Sequence, residues 1–346
     1  VIAGTGRGAN LGILYRGGDV VETAAGVNTV IFDKTGTITY GKLKTAAVVP
    51  MEGVSERDVL SYCATAEYGS EHPIAEAVLN RVQEDNIEAA RPDSTQSVPG
   101  RGIIADLGGK KIVAGTMALM ELKKISIPEN ADTKVPEGCT AIYVSVDGKY
   151  LGMIALSDTI RPDAREAIAQ LNAMGIETVM ITGDNEGAAR LIAKDAGISS
   201  IKAQVLPQDK HRAVEEFKEN GRIVAMVGDG INDAPALAGA NVGIALSSGT
   251  DVAAESSGII LMREDLHAVV DSLKLARQTM RIIRENLFWA FIYNMIGIPI
   301  AAGLLVLFGG PAFSPVFGGA AMAFSSVSVV TNSLRLTRYQ PDKSKK

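Results

Sequence analysis

Cysteine is scarce: Cys63 and Cys139 are the only two among 346 residues. Two thiols so far apart supply neither a disulfide framework nor a zinc site, and both read as small buried hydrophobes of a chain kept in a reducing compartment. An excess of positive charge is missing too. The formal net charge is -5 with both signs interspersed, so there is no electrostatic footprint for nucleic acid, and none is expected as a partner. No Walker lysine motif occurs, which removes the P-loop ATPases. Gly4-Thr5-Gly6-Arg7-Gly8-Ala9 has the spacing of a dinucleotide-binding turn, but only Val1-Ile2-Ala3 precede it where a strand is required. No signal peptide precedes Val1, and the expectation is a fragment of a longer protein.

What is present begins with Asp33-Lys34-Thr35-Gly36-Thr37, directly after the apolar run Thr29–Phe32. An aspartate at the end of a buried strand can attack a phosphoryl group through its carboxylate and form an acyl phosphate. Soluble phosphatases of this kind place a second aspartate two residues on, as proton donor and activator of water. Thr35 stands there instead and cannot do acid–base work near neutral pH. Such an enzyme forms an aspartyl phosphate and does not discharge it quickly by itself. The pentapeptide alone is equally a strand and a polar turn, so the other segments decide. Val179-Met180-Ile181 runs into Thr182-Gly183-Asp184, where a hydroxyl and a backbone N–H suit phosphate oxygens. Pro207-Gln208-Asp209-Lys210 supplies a point positive charge. Ile223–Val227 ends in Gly228-Asp229-Gly230-Ile231-Asn232-Asp233, whose carboxylates beside Asp33 make a hard-oxygen site of the kind Mg²⁺ prefers. In open α/β sheets ligands bind at the carboxyl ends of strands, and all three runs deliver their polar residues there.

Asp33–Thr37, Thr182–Asp184, Lys210 and Gly228–Asp233 together resemble a P-type ATPase, a member of the haloacid-dehalogenase-like superfamily, and the likeness continues to about Leu336. The resemblance implies an α/β fold. A haloacid-dehalogenase-like Rossmannoid phosphorylation domain (21–41 and 153–275) is interrupted by an inserted α+β nucleotide-binding domain (42–152). A C-terminal transmembrane helical hairpin (276–336) and a cytoplasmic tail (337–346) follow. Residues 1–20 are expected to be the cytoplasmic end of a membrane helix, running through Leu11–Tyr15. The implied cofactors are ATP and Mg²⁺. Asp33 would be phosphorylated, Lys34 and Lys210 would neutralise phosphate, and Thr182, Gly183, Asp184, Asn232 and Asp233 would support the site. Asp33, Thr35 and Asp229 would hold Mg²⁺.

The insertion reads as helices near Glu56–Glu67 and Pro73–Val82 and strands near Gly102–Asp106 and Lys111–Ala114. A hairpin at Asp147-Gly148 is flanked by Ala141–Val146 and Tyr150–Leu156. A histidine in a helix cap is usually structural. Ser70-Glu71-His72-Pro73, however, is similar to the nucleotide domain of heavy-metal ATPases, which implies that His72 and Glu67 contact the adenosine. Gly100 and Gly102 allow close backbone approach. Gly115-Thr116 stands where that family usually has Gly-Asn, a departure that puts one nucleotide contact in question.

Two uncharged runs near the C-terminus point to a membrane. Leu287–Phe308 is about 22 residues, roughly 33 Å as a helix, and Pro315–Leu334 about 20, joined by Gly309–Ser314. Arg281, Arg284, Arg335 and Arg338 flank them, so both outer ends are expected to face the cytoplasm. Within the runs lie Tyr293, Asn294, Met322, Ser325 and Ser326, a thioether and neutral oxygens that suit a soft monovalent ion. Such residues are also ordinary helix–helix contacts. Their order resembles the copper-exporting branch of the heavy-metal ATPases, which implies transported Cu⁺, with Ag⁺ chemically close. The zinc and cadmium branch is expected to carry a lysine and an aspartate here.

The expected whole is therefore an ATP-driven Cu⁺ exporter, multi-pass in a cell membrane with catalytic domains in the cytoplasm. Its partners would be membrane lipid, an N-terminal half with the Cys-Pro-Cys helix and the actuator domain (neither present in this chain), and a copper chaperone. Alternatives left open are a divalent Zn/Cd exporter, a haloacid-dehalogenase-type phosphatase and a non-catalytic membrane subunit.

Overall fold

The computed structural model describes residues 1–70, 72–128, 131, 134–136, 138–184, 186–219, 221–229, 233–246, 255–302, 304–309 and 315–341, with backbone alone at 207, 305 and 315–322. The chain forms two compact units. The first contains Val1–Asp33, Asp163–Ile181 and Val205–Lys346, the second Lys34–Pro162 and Thr182–Gln204.

In the first unit the strands lie in the order Ile13–Tyr15, Ile259–Leu261, Val242–Leu246, Val224–Gly228, Thr29–Asp33, Glu177–Ile181. All neighbours are parallel except the first pair. Strands covered on both faces read as unbroken apolar runs. Thr29–Asp33 and Val224–Gly228 are buried at every position, with Ile31 flanked by Met226 and Val179. Val214 and Leu237, from helices Lys210–Glu219 and Ala234–Gly239, pack into the same core. Parallel alignment brings Asp33 and Gly228 to the same edge of the sheet. One expectation is corrected here. Leu11–Tyr15 is not helical continuation, because Ile13–Tyr15 is an edge strand antiparallel to Ile259–Leu261. The preceding glycines lie in helix Ile2–Asn10, where Gly4 packs so closely on Thr279 that a Cβ would collide with it.

The second unit holds an antiparallel sheet in the order Thr39–Pro50, Lys149–Ile160, Thr140–Val146, Lys110–Gly115, Gly102–Leu107, Ser94–Val98. Alternation along one strand divides its two faces. Ile112 and Ala114 pack with Leu60, Cys63 and Val78 of helices Glu56–Ala66 and Pro73–Glu84, while Val113 packs with Leu119, Met120 and Tyr143. Ser55 caps the first helix by accepting from Asp58 N–H (3.1 Å), and His72 Nδ1 caps the second by accepting from Ile74 N–H (3.3 Å). Asp147 (φ 48°) and Gly148 (φ 76°) make the hairpin turn. The two long strands carry this unit past the 42–152 limits expected for the insertion. Segment 182–204 closes on itself through Thr182 N–H to Lys202 O and Gln204 N–H to Asp184 O.

At the C-terminus, helix His267–Ala301 is buried in its first half, from Ala268 to Ile282. Leu304–Leu307 and Pro315–Leu334 are further helices. Among the described residues no helix is long and apolar enough to cross a membrane. Of the expected span Leu287–Phe308, the part up to Ala301 lies in helix His267–Ala301, with Pro299 in its last turn, and Leu304–Leu307 is a separate helix. Of the expected loop Gly309–Ser314, residues 310–314 lie outside the described residues. The two longer helices are tied by Asn286 Nδ2 donating to Ser333 Oγ and Asn332 Nδ2 to Asn286 Oδ1, both at 2.9 Å.

Candidate functional site

Asp33 closes its strand with the carboxylate 8% exposed. Lys210, at the start of helix Lys210–Glu219, donates from Nζ to Asp33 Oδ1 (2.6 Å) and to Asp233 Oδ1 (2.7 Å). Burial foremost, then Asp233, pushes Asp33 up to about 6 against the pull of Lys210; Asp229 adds to the rise. Burial pulls the Lys210 ammonium down, but its two carboxylates more than offset this and hold it above the usual lysine value. Gly228 gives Asp233 room, since a Cβ there would stand 2.7 Å from Asp233 Oδ2.

The carboxylate oxygens of Asp33 and Asp233 at this edge are hard donors of the kind that fit Mg²⁺. Asp233 Oδ2 is buried with no hydrogen-bond partner among the described residues. No three acidic, histidine or cysteine side chains converge as metal ligands among those residues. Asn232 lies outside the described residues.

In the second unit, Lys34 Nζ donates to Asp184 Oδ2 at 2.6 Å, so this lysine is held by a carboxylate rather than standing free. Thr182 Oγ1 accepts from Asp184 N–H (3.1 Å), and Gly183 is exposed beside them. Thr35 is exposed in extended backbone, and Gly36 turns the loop with φ 75°. Two residues that the sequence did not single out brace this loop. Arg161 donates to Gly36 O (3.0 Å) and stacks on Tyr40, while Thr39 Oγ1 donates to Lys34 O (3.0 Å). Their separation along the chain hides the first of these contacts from any local pattern.

A cavity of about 430 Å³ opens in the second unit, and Glu67, His72, Gly100, Gly102, Gly115 and Thr116 all line it. Burial raises the Glu67 carboxyl above the ordinary range, against a hydrogen bond from Ser70 and the charge of His72. Thr116 Oγ1 is buried with no partner among the described residues, although Thr116 begins helix Met117–Leu122. Tyr68 and Arg101 also line the cavity; neither was in the residue set read from the sequence. The apposition Gly102–Gly115 belongs to the sheet, where the two are register partners.

Tyr293 and Asn294 lie on helix His267–Ala301, Ser325 and Ser326 on Pro315–Leu334. The Asn294 amide donates within its own helix, to Ala290 O at 3.0 Å. The side chain of Met322, like residue Glu71, is outside the described set.

The family model for haloacid dehalogenase-like hydrolases matches residues 27–241. The chain is 44% identical over 342 residues to a copper-exporting P-type ATPase of Bacillus subtilis, covering 98% of this chain and 42% of that protein. It is 46% identical to a probable copper-exporting P-type ATPase of Archaeoglobus fulgidus, with the same coverage. The chain thus spans about two fifths of the length of these curated relatives. Among solved structures, a zinc-transporting PIB-type ATPase in its E2.Pi state superposes with TM-score 0.84 at 35% identity, over 98% of this chain and 54% of that one. The catalytic domain of a CPx-ATPase superposes with TM-score 0.64 at 27% identity, over 79% of this chain and 98% of that one.

Proposed function

This chain belongs to the haloacid dehalogenase-like hydrolase family, in its P-type ATPase branch, and from that membership we propose that it is the phosphorylating and nucleotide-binding part of a Cu⁺-exporting pump. The observation that carries the reading is the Lys210 ammonium shared between Asp33 and Asp233 at the carboxyl edge of a parallel sheet.

The cavity around Glu67, His72 and Thr116 holds the adenosine of ATP. A carboxylate oxygen of Asp33 forms a bond to the γ-phosphorus while the bond to the bridging oxygen breaks, and ADP leaves with that electron pair. Lys210 keeps Asp33 oriented and offsets the charge gathering on the phosphoryl oxygens. By the family resemblance Lys34, which Asp184 holds, and the hydroxyl of Thr182 would add donors. Asp33, Thr35 and Asp229, with Asn232 and Asp233 in support, would hold Mg²⁺, which when bound neutralises the phosphates. Because Thr35 replaces a carboxylate, the phosphoenzyme persists until another part of the pump discharges it.

Membrane attachment is supported by the exposed Leu287, Phe288, Phe291, Ile298 and Phe324 of the C-terminal helices. Lipid, the remaining pump segments and a copper chaperone would be partners, with the catalytic units in the cytoplasm. Tyr293, Asn294, Met322, Ser325 and Ser326 offer soft and neutral donors, which favours Cu⁺, or Ag⁺, over a divalent ion. The zinc-transporting neighbour keeps a divalent exporter as the second reading.

The test is label transfer from γ-labelled ATP with Mg²⁺. Hydroxylamine-sensitive label is expected on the parent chain and not on Asp33→Asn. Equal label on both would sink the assignment. Stimulation of the full-length pump by Cu⁺ rather than Zn²⁺ separates the two metal readings.

A further inference from the structure

The cavity in the second unit contains one feature that its adenosine-binding role leaves unused. Arg101 sits between two glycines at its lining, exposed, and its guanidinium makes no hydrogen bond or ion pair with any described residue. Its backbone is fixed nonetheless. Arg101 N–H donates to Val98 O (3.0 Å), and Arg101 O accepts from Thr116 N–H (2.8 Å). Gly100 (φ 69°) and Gly102 (φ 143°) shape the chain on either side in conformations that residues with a side chain rarely adopt. A long cationic side chain on so fixed a base sweeps a restricted arc, and it does so at the cavity.

The other ionisable side chains of the described lining are Glu67, which is buried, His72 and the exposed Tyr68. Charge is costly to bury, so an occupant with a neutral base and an anionic tail places the base inside and the tail outward. A guanidinium matches phosphate oxygens with two parallel N–H bonds, as no other side chain does.

We propose that Arg101 binds the polyphosphate of the bound nucleotide and gives this cavity its preference for nucleoside triphosphate over nucleoside. The inference rests on the nucleotide reading of the cavity and assigns the phosphate contact within it. Arg101 is here a specificity residue rather than a member of the phosphoryl-transfer machinery.

The test is calorimetric titration of the full chain, without Mg²⁺, with ATP, ADP, AMP and adenosine. Three proteins are compared: the parent, Arg101→Gln, and Lys149→Gln, which removes the same charge from an exposed position outside the cavity. Arg101→Gln is expected to lose about tenfold in ATP affinity and to keep its adenosine affinity. Lys149→Gln is expected to match the parent. Added salt should weaken ATP binding to the parent more than to Arg101→Gln, because the lost contact is ionic. Equal losses for ATP and adenosine would overturn the proposal by making Arg101 a base or packing residue. An unchanged ATP affinity, or an equal loss in Lys149→Gln, would overturn it as well. Failure of the parent to bind adenosine at all would remove the nucleotide reading itself, and the inference with it.

Discussion

Gly102 and Gly115 are register partners on adjacent strands, and a Cβ on Gly102 would stand 2.5 Å from the Cα of Gly115. It would also run into Ala114 O, and Gly102 has φ 143°, where side chains are strained. The pair therefore serves the sheet before it serves any ligand. Gly102→Ala is expected to destabilise the protein by about 2–4 kcal/mol, the sum of backbone strain and overpacking. Denaturant unfolding without nucleotide measures this directly. A midpoint equal to the parent's would show that the strand pair has slack and return Gly102 to a purely ligand-facing role.

A raised Asp33 makes stability depend on pH in a definite direction. The folded carboxyl titrates near 6 against an ordinary 3.8, so between those values the folded state holds more proton than the unfolded. Stability from this group is complete below about pH 4 and falls as pH rises through 6, by on the order of 3 kcal/mol. Asp33→Asn removes the charge at every pH. In chelator, its melting temperature should match the parent's near pH 4 and exceed it above pH 7. A gap of constant size across that range would mean that the ionisation of Asp33 is not its source.

The segments that build the Asp33 edge were legible because a parallel strand buried on both faces has to be apolar throughout. Thr29–Phe32, Val179–Ile181 and Ile223–Val227 announce themselves that way, and the polar residues after them mark the carboxyl ends. Ile13–Tyr15 was not legible, since three residues at a sheet edge carry no period. The braces of the Asp33 loop were hidden for another reason. Lys34 and Asp184 are 150 residues apart, Arg161 and Gly36 125, and no local pattern encodes such pairs. The two membrane runs were read from their lack of charge alone, and that pattern carries no mark of the helix end at Ala301. Arg101 was visible in the sequence, but only the cavity gives its charge a place.

Removing the shared ammonium should expose what it balances. With Lys210→Met, Asp33 and Asp233 remain as buried carboxylates with no shared cation. Loss of one partner of a buried pair costs about 3–5 kcal/mol. That loss should be largest near pH 8 and shrink toward pH 5, because without Lys210 the Asp33 carboxyl rises further above 6 and takes up its proton. Label incorporation from ATP should fall to background while nucleotide affinity, set in the other unit, stays at the parent's value. A pH-independent loss would point to packing of the lysine stem instead.

Thr35 offers the sharpest test of why a phosphoenzyme should last. Its backbone is extended (φ -76°, ψ 129°) and its side chain exposed, so an aspartate fits there without disturbing Gly36, which carries the turn. Thr35→Asp places a carboxyl two residues from Asp33, where it can activate water against the acyl phosphate. General-base assistance of this kind is worth about 10²–10⁴ in rate. After a pulse of labelled ATP and a cold chase, label on Thr35→Asp is expected to decay at least a hundredfold faster than on the parent, with free phosphate as the product. Thr35→Asn has the same size without the basicity and should decay at the parent's rate. If both variants decayed alike, the lifetime would be set by water access to the Asp33 edge rather than by the missing base, and the role assigned to Thr35 would be wrong.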